Sequence, residues 1–265
     1  MTTSSAYFFV IHGSRNRESL IAASQLQQHL ILKIASNSRS IQSNLFGDNL
    51  SPSNSTKTGV LDYPKTPLVE IAALELATLP LNQSLVKFAQ KAHFQGFNRV
   101  KVFPLFLAPG VHVKEDIPEE ISLAVKQINN RVTIELSTFL GKYSEIVQLI
   151  IEKFENLSAQ TRVLVSHGSR LPGVADYYRS LAYKVGAVNA YWSTSPNLER
   201  QVKIQVSNGS KKIAILPYFL FPGKITSEIA SKVKKMEIEY PDVELILGKP
   251  LGVTEDLAEL IAKEI

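Results

Sequence analysis

Three residues in the first half of the chain are of the types that hold a divalent metal ion. His12 lies in the segment VIHGSR, Glu75 in AALEL and His112 in LAPGVHVKED. Each ends or follows an apolar run with the composition of a buried β-strand. Because ligands of a parallel sheet bind at the carboxyl ends of its strands, we expect the three side chains to converge. Two imidazoles and one carboxylate would suit Fe, Co, Ni or Zn.

Other interpretations of these residues stay open at this point. A histidine after a strand is often a hydrogen-bonded loop residue, and His29 and His93 lie in polar helical patterns that predict surface positions. Glu75 stands in an otherwise apolar strand, where a buried carboxylate is costly unless it is paired or bound to metal. Gly13 and Gly110 flank the candidate histidines and would let the backbone turn tightly beside a ligand.

Apolar runs alternate with helical patterns along the whole chain. This alternation predicts an α/β fold in which helices cover both faces of parallel sheets. The predicted strands lie near residues 6–12, 68–76, 99–107, 131–139, 162–167, 187–193, 211–220 and 243–248. The predicted helices lie near residues 16–34, 81–95, 115–129, 142–156, 175–185, 196–207, 224–239 and 254–264.

The second half of the chain repeats the first. VIHGSR at residues 10–15 matches VSHGSR at 165–170, and VKVFPLFLAPG at 100–110 matches IAILPYFLFPG at 213–223. We interpret the chain as a tandem duplication of one βαβα unit. It predicts two Rossmann-like lobes, one at residues 1–145 and one at residues 146–265, each with a parallel sheet of about four strands.

Only part of the candidate metal set recurs in the second copy. His167 occupies the place of the first histidine. Counting from the proline that opens the next helix in each copy puts Tyr191 at the place of the glutamate. The place of the later histidine falls on Lys224 or Ile225, depending on a one-residue gap. The first copy is therefore predicted to carry the complete site, and His167 either assists it or is a relic that caps a turn.

One segment has no counterpart in the second copy. Residues 35–66 are rich in Ser, Asn, Thr and Gly. A segment of this composition buries too little apolar surface to offset its ordering entropy. We therefore expect a disordered surface insertion between the first helix and the second strand.

Composition narrows the kinds of site and partner. The chain has 265 residues, 45% of them hydrophobic and 20% charged, and it contains no cysteine. Disulfides and thiolate metal sites are therefore excluded. No apolar run is long enough to span a membrane and no secretory signal peptide is evident, so we expect a cytoplasmic protein that does not bind membranes. The formal net charge of +5 favours acidic ligands. The basic residues are too scattered to predict nucleic-acid binding.

Four of the cations lie close to the repeated motifs. Arg15 and Lys114 follow the candidate ligands of the first half, and Arg170 and Lys224 hold the corresponding positions in the second. If the two halves face each other, these side chains would surround one cleft, where arginine in particular would pair with carboxylates. The alternative is that they are ordinary solvated surface charges.

The motifs together resemble a known enzyme family. VIHGSR, AALELA and above all VFPLFLAPGVHVKEDIPEEI are similar to the sirohydrochlorin chelatases, class II chelatases that need no ATP. The resemblance covers both halves, as in the two-repeat form of the family. It implies two similar lobes with the active site between them, in a chain that is a monomer. It also implies a lyase of cobalamin or sirohaem biosynthesis that takes sirohydrochlorin, an acidic tetrapyrrole, and Co²⁺ or Fe²⁺, with Ni²⁺ as a further candidate, and no nucleotide.

The resemblance also implies roles for individual residues. His12 and His112 match the metal-site residues of the family, and Glu75 matches its assisting glutamate, so these three are the predicted catalytic residues. Ser14 and the four cations above are the predicted substrate contacts. Glu75 would accept protons from the ring or orient His112. Because imidazole binds metal only when it is neutral, activity is expected to fall on acidification.

One alternative function stays open, and two others are disfavoured by the sequence. A carrier that binds metal or tetrapyrrole without turnover could use the same residues. A nucleotide-binding module is disfavoured because neither GxGxxG nor GxxxxGK[ST] follows any predicted strand. A serine hydrolase that uses Ser14 or Ser169 is disfavoured because neither serine lies in a GxSxG motif.

Overall fold

The computed structural model describes residues 5–46, 66–129 and 131–265, and it describes the side chains of these residues except for 38–46. Within these ranges the chain forms two four-stranded parallel sheets flanked by helices, and the strand order relative to the sequence is the same in both. The predicted fold class of two tandem α/β lobes is therefore confirmed. None of the described helices has both the length and the hydropathy needed to cross a bilayer.

The first lobe is built on a sheet with the order β2-β1-β3-β4. Its strands are β1 (Ser5–Ile11), β2 (Val69–Ala73), β3 (Arg99–Pro104) and β4 (Thr133–Leu136). Its helices are α1 (Arg17–Phe46), α2 (Leu81–Phe94), α3 (Ile117–Ile128) and α4 (Glu145–Asn156). The chain leaves β1 for β2 on one side and returns to β3 on the other, so the carboxyl end of β1 is a topological switch point, where α/β sheets bind ligands.

The second lobe repeats this arrangement in the order β6-β5-β7-β8. Its strands are β5 (Thr161–Ser166), β6 (Val188–Tyr191), β7 (Lys212–Pro217) and β8 (Glu244–Leu247). Its helices are α5 (Pro172–Lys184), α6 (Leu198–Ser207), α7 (Lys224–Glu239) and α8 (Glu255–Lys263). The central strands β1 and β5 each end in a run of four buried residues, as a sheet covered on both faces requires.

The buried residues form an outer core in each lobe and a central core that the lobes share. The outer cores contain α2 and α3 in the first lobe and α6 and α7 in the second. The central core joins Phe103 of β3 to Leu216 of β7 and includes apolar residues of α1, α4, α5 and α8. Within it, α8 packs against α1 of the first lobe, and α4 packs against β7 of the second. The last helix of each lobe thus contacts the other lobe. The predicted division between residues 145 and 146 stays a prediction; it falls at the start of α4, which follows β4 of the first sheet and is counted here with the first lobe.

Two tyrosines of the second lobe bond to the backbone of the first. Tyr218 donates from its hydroxyl to the carbonyl oxygen of Leu107 at 3.0 Å, and Tyr177 donates to that of Gly141 at 2.8 Å. The two hydroxyl oxygens lie 3.0 Å apart. Burial raises the pKa of Tyr218 well above its ordinary value, so this hydroxyl stays protonated and remains a donor. The segment that follows β3 is thereby held against the second lobe.

Several predicted boundaries differ from the structure. α1 continues to Phe46, so residues 35–46 of the predicted insertion are helical and the expectation of disorder is wrong for them. The rest of the insertion, except Thr66, lies outside the described residues. The prolines taken to open the second helix of each copy are Pro80, the N-cap of α2, and Pro196, which precedes Asn197, the N-cap of α6; both lie before their helix, at different distances from its first residue. The polar residues misled the prediction because a helix tolerates them wherever its tertiary contacts suffice.

The contact between the lobes predicts the effect of removing one hydroxyl. Tyr218→Phe leaves the Leu107 carbonyl without this donor, so we expect the free energy of unfolding to fall by about 1–2 kcal/mol. Urea denaturation followed by circular dichroism measures the change as a lower midpoint at unchanged slope. The control is Tyr183→Phe, since Tyr183 is 87% exposed. Equal midpoints for the two variants would contradict the proposed importance of this bond.

Candidate metal site at the edge of the first sheet

The three candidate ligands follow three neighbouring strands of the first sheet. His12 comes directly after β1, Glu75 comes two residues after β2, and His112 begins a single turn of π-helix, residues 112–116, that leads into α3. The backbone N–H of Glu75 donates to the carbonyl oxygen of His12 at 2.9 Å. The parallel hydrogen-bond ladder therefore continues past both strand ends and sets these two residues side by side.

The side chains of these three residues converge, as predicted. One ligand atom from each lies within 4.8 Å of the other two. Nδ1 of His12 lies 3.9 Å from one carboxylate oxygen of Glu75, and Nε2 of His112 lies 3.7 Å from the other. The two imidazole rings meet edge to face, with centroids 4.9 Å apart and planes at 87°. Such an N/N/O group could hold a first-row divalent metal ion.

The cluster is open to solvent on one side. The side chains of His12, Glu75 and His112 are 56%, 47% and 31% exposed. The expectation that Glu75 is a buried carboxylate inside a strand is wrong, because β2 ends at Ala73 and the glutamate lies in the loop beyond it. The ring of Phe106 lies beside both imidazoles, at 6.3 and 6.0 Å between centroids. An ion held by the three side chains would therefore keep positions that another ligand could reach.

A fourth residue, which the sequence analysis missed, contacts the cluster. Oδ2 of Asp116 lies 2.6 Å from Nδ1 of His112, on the side of the ring opposite the atom that faces Glu75. Both residues belong to the π turn and are four positions apart. The spacing of His and Asp in HVKED could have indicated this contact, because residues four apart share one face of a helix.

The two flanking glycines differ in what they do. Gly13 has φ of +106°, and a Cβ there would overlap the carbonyl oxygen of Glu75. Only glycine adopts this conformation at little cost, so the prediction of a tight turn is confirmed at Gly13. Gly110 has no such φ, and a Cβ there would meet nothing within 4 Å. At Gly110 the backbone does turn, since its N–H donates to the carbonyl oxygen of Ala108 at 2.9 Å, but neither φ nor space requires a glycine there.

In the second lobe, the residue that corresponds to Glu75 is not the predicted one. Trp192 N donates to Ser166 O, and Ser193 N donates to His167 O, which repeats the ladder beyond β1 and β2. Ser193 is therefore the counterpart of Glu75, and the assignment of Tyr191 is wrong. Counting from the prolines failed because they hold different positions relative to the two helix starts.

The place of His112 in the second lobe falls on Ile225. The backbone N–H of Leu105 donates to the carbonyl oxygen of Val10 in the first lobe, and that of Tyr218 donates to Val165 in the second, so Leu105 and Tyr218 correspond. His112 lies as many residues after Leu105 as Ile225 lies after Tyr218. The π turn has no counterpart there, since α7 begins as an ordinary α-helix at Lys224.

Of the three candidate metal ligands, the second lobe therefore has a counterpart only for His12, namely His167. Nδ1 of His167 lies 3.1 Å from the carbonyl oxygen of Gly168, its neighbour, and 3.4 Å from the hydroxyl of Ser193. The ring of Trp192 packs 5.3 Å from its imidazole. The structure thus places His167 among loop contacts of its own lobe.

The predicted substrate contacts are arranged around the strand ends of both lobes. Arg15, Lys114 and Arg170 are exposed, and Lys224 is 87% exposed with Glu228 4.0 Å away. The Ser14 hydroxyl accepts from the backbone N–H of Asn16 at 3.0 Å, which shapes the loop after His12.

One hydrogen bond joins the rims of the two lobes. The hydroxyl of Ser19, near the start of α1, donates to the carbonyl oxygen of Pro222, just before α7, at 2.7 Å. The loop that carries Arg15 and the loop that leads to Lys224 therefore meet.

The close contact between Gly13 and the Glu75 carbonyl predicts the effect of adding a side chain at Gly13. Gly13→Ala forces a left-handed φ on a residue with a Cβ and displaces Glu75, so we expect a loss of about 1–3 kcal/mol in the free energy of unfolding. Co²⁺ binding, followed by its visible absorption, should weaken in parallel. Gly110→Ala is the matched control and should change neither property. If Gly13→Ala behaved like that control, the backbone contact would not be what positions the carboxylate.

Comparisons with known proteins find sirohydrochlorin chelatases among the relatives of this chain. A sirohydrochlorin ferrochelatase of Priestia megaterium is 25% identical over 212 residues, which cover 75% of this chain and 77% of that protein. A sirohydrochlorin cobaltochelatase of the same organism is 26% identical over 216 residues, covering 76% and 69%. The solved structure of SirB from Bacillus subtilis with Fe³⁺ superposes with a TM-score of 0.68 at 21% identity, over 98% of this chain and 93% of that one.

A family model agrees with the duplication as well. The model of the CbiX family matches residues 58–157 and again residues 161–265. The first match contains Glu75 and the π turn, and the second contains β5 to α8. Because the two matches cover more than half of the chain, the chain belongs to the CbiX family.

Proposed function

We propose that this chain inserts Co²⁺ or Fe²⁺ into sirohydrochlorin without using ATP. The observation that carries the proposal is the convergence of His12, Glu75 and His112 at an open edge of the sheet. Membership of the CbiX family and similarity to proteins named sirohydrochlorin ferrochelatase and cobaltochelatase support the same reaction. The metal ion is a substrate, so a half-exposed site suits the task better than a closed one.

The residues of the cluster have distinct roles in this proposal. His12 and His112 bind the incoming ion through neutral imidazole nitrogens and hold it toward the ring nitrogens of the macrocycle. The ion replaces the inner N–H protons of the ring, and these must leave as the metal–nitrogen bonds form. Glu75 lies within 4 Å of both imidazoles and accepts these protons before passing them to water.

Charge on both lobes would bind and orient the acidic macrocycle. Arg15 and Lys114 lie on the first lobe, Arg170 and Lys224 on the second, and all four are exposed. Their ammonium and guanidinium groups would attract the carboxylates of sirohydrochlorin and fix the ring over the ion. Ser14 contributes by shaping the loop after His12. Since one chain supplies both rims, we propose a monomer, and Ni²⁺ is a third metal to test.

The asymmetry between the lobes gives the first test. His12→Ala and His112→Ala each remove a ligand and should abolish insertion, whereas His167→Ala should retain most of it. Steady-state rates with sirohydrochlorin and Co²⁺ measure this, with His93→Ala as a surface control. If His167→Ala had no insertion activity while His112→Ala kept it, the reaction would belong to the second lobe instead.

The choice of substrates gives the second test. Insertion of Co²⁺, Fe²⁺ and Ni²⁺ is compared on sirohydrochlorin and on a porphyrin that lacks the ring acetates, with absorbance as the readout. We expect the porphyrin to show a much higher KM, because the cations of both rims lose their partners. A spectral change that stops at one equivalent of macrocycle per protein would indicate a carrier without turnover and would overturn the proposed reaction.

A further inference from the structure

We propose that Asp116 is a positioning residue that orients His112 and raises its affinity for the metal ion. Its catalytic consequence rests on the proposed insertion reaction, but its effect on metal binding does not. Asp116 is neither one of the three converging ligands nor one of the proposed substrate contacts. It acts on the ion through the imidazole alone.

The geometry of the hydrogen bond carries the proposal. The distance of 2.6 Å between Oδ2 of Asp116 and Nδ1 of His112 is short, as expected when one partner is charged. A carboxylate only accepts, so Nδ1 carries the proton and donates it. In a neutral imidazole, Nε2 of His112 is then the unprotonated nitrogen, and it is the atom that lies 3.7 Å from Glu75. The bond therefore selects the tautomer that can bind an ion in the cluster.

An alternative role for Asp116 would be to stabilise the start of α3. An aspartate before a helix usually accepts a hydrogen bond from an N–H of the first turn. The side chain of Asp116 makes no capping bond, and its backbone is already helical, with φ of −64° and ψ of −48°. Its carboxylate is thus directed to the imidazole. The following Glu119 and Glu120 remain available to interact with the helix dipole.

The local backbone points the same way. His112 and Asp116 are the first and last residues of the π turn, and α7, which holds the corresponding place in the second lobe, begins without one. The second lobe also has Ile225 in place of the histidine. π turns are rare and frequently lie at functional sites. The turn, the histidine and its carboxylate therefore occur together in the lobe that has the complete cluster.

The test compares three carboxylate variants in the full chain. Asp116→Ala removes the acceptor and should weaken Co²⁺ binding about 10- to 100-fold. Asp116→Asn keeps an acceptor oxygen of nearly the same shape and should recover most of the affinity. Glu115→Ala removes an exposed carboxylate from the same turn and is the matched control for charge alone. Co²⁺ affinity is measured by titration of the visible absorption bands, and folding by circular dichroism.

A double-mutant cycle separates orientation from a direct effect. If Asp116 acts through the imidazole, Asp116→Ala should weaken Co²⁺ binding in the wild-type background and change nothing further in His112→Ala. Equal losses in both backgrounds, or equal losses for Asp116→Ala and Glu115→Ala, would overturn the inference.

Kinetics distinguish failure of this inference from failure of the proposed function. We expect Asp116→Ala to raise the KM for Co²⁺ in insertion while leaving the KM for sirohydrochlorin near the wild-type value. If the wild-type chain inserts Co²⁺ and Asp116→Ala has the same Co²⁺ kinetics and affinity, the role of Asp116 is wrong and the proposed reaction stands. A wild-type chain that binds Co²⁺ in an Asp116-dependent way but never inserts it would sink the reaction alone.

Discussion

The candidate site depends on one hydrogen bond, from the backbone N–H of Glu75 to the carbonyl oxygen of His12. It extends the parallel ladder beyond β1 and β2, so two loop residues keep the spacing of neighbouring strands. Gly13 makes this approach possible, because any Cβ at that position would occupy the space of the Glu75 carbonyl. The site is therefore a continuation of the sheet, and its precision comes from the rigidity of β1 and β2.

The two lobes share one fold, but only the first has the metal-ligand cluster. The second sheet reproduces the strand order, the ladder beyond the strands and the first histidine. It has Ser193 and Ile225 where the first lobe has Glu75 and His112, and it has an ordinary helix start in place of the π turn. The scaffold alone does not make a metal site. At the site, the second lobe lacks the carboxylate, the second imidazole and the π turn.

Much of this could be predicted from the sequence, because the relevant patterns are periodic or repeated. Apolar runs alternating with helices indicated the parallel sheets, and the repeat indicated two lobes. The convergence of His12, Glu75 and His112 followed from their positions at strand ends. Side-chain contacts within a turn do not follow from such patterns, which is why Asp116 was missed. The counterpart of Glu75 was misplaced because loop lengths changed independently of the ladder.

The predicted end of α1, near residue 34, was also wrong, for a physical reason. Residues 35–46 have the polar composition of a loop, yet they continue the helix. The helix is anchored just before and within this segment by contacts with residues far away in sequence, since Lys33 lies 3.5 Å from Glu259 of α8 and Asn37 donates to the carbonyl oxygen of Ala262. Composition reports the average tendency of a segment, whereas a neighbouring helix decides its actual state.

The crossing of α4 and α8 between the lobes limits how the molecule can move. Each helix buries apolar side chains, such as Phe154 and Ile261, in a core to which both sheets contribute. Opening the lobes like a hinge would pull these helices from their partners and expose that core to water. A flat ring that binds at the cluster would therefore gain its space from loops and long side chains at the rim rather than from a wider angle between the two sheets.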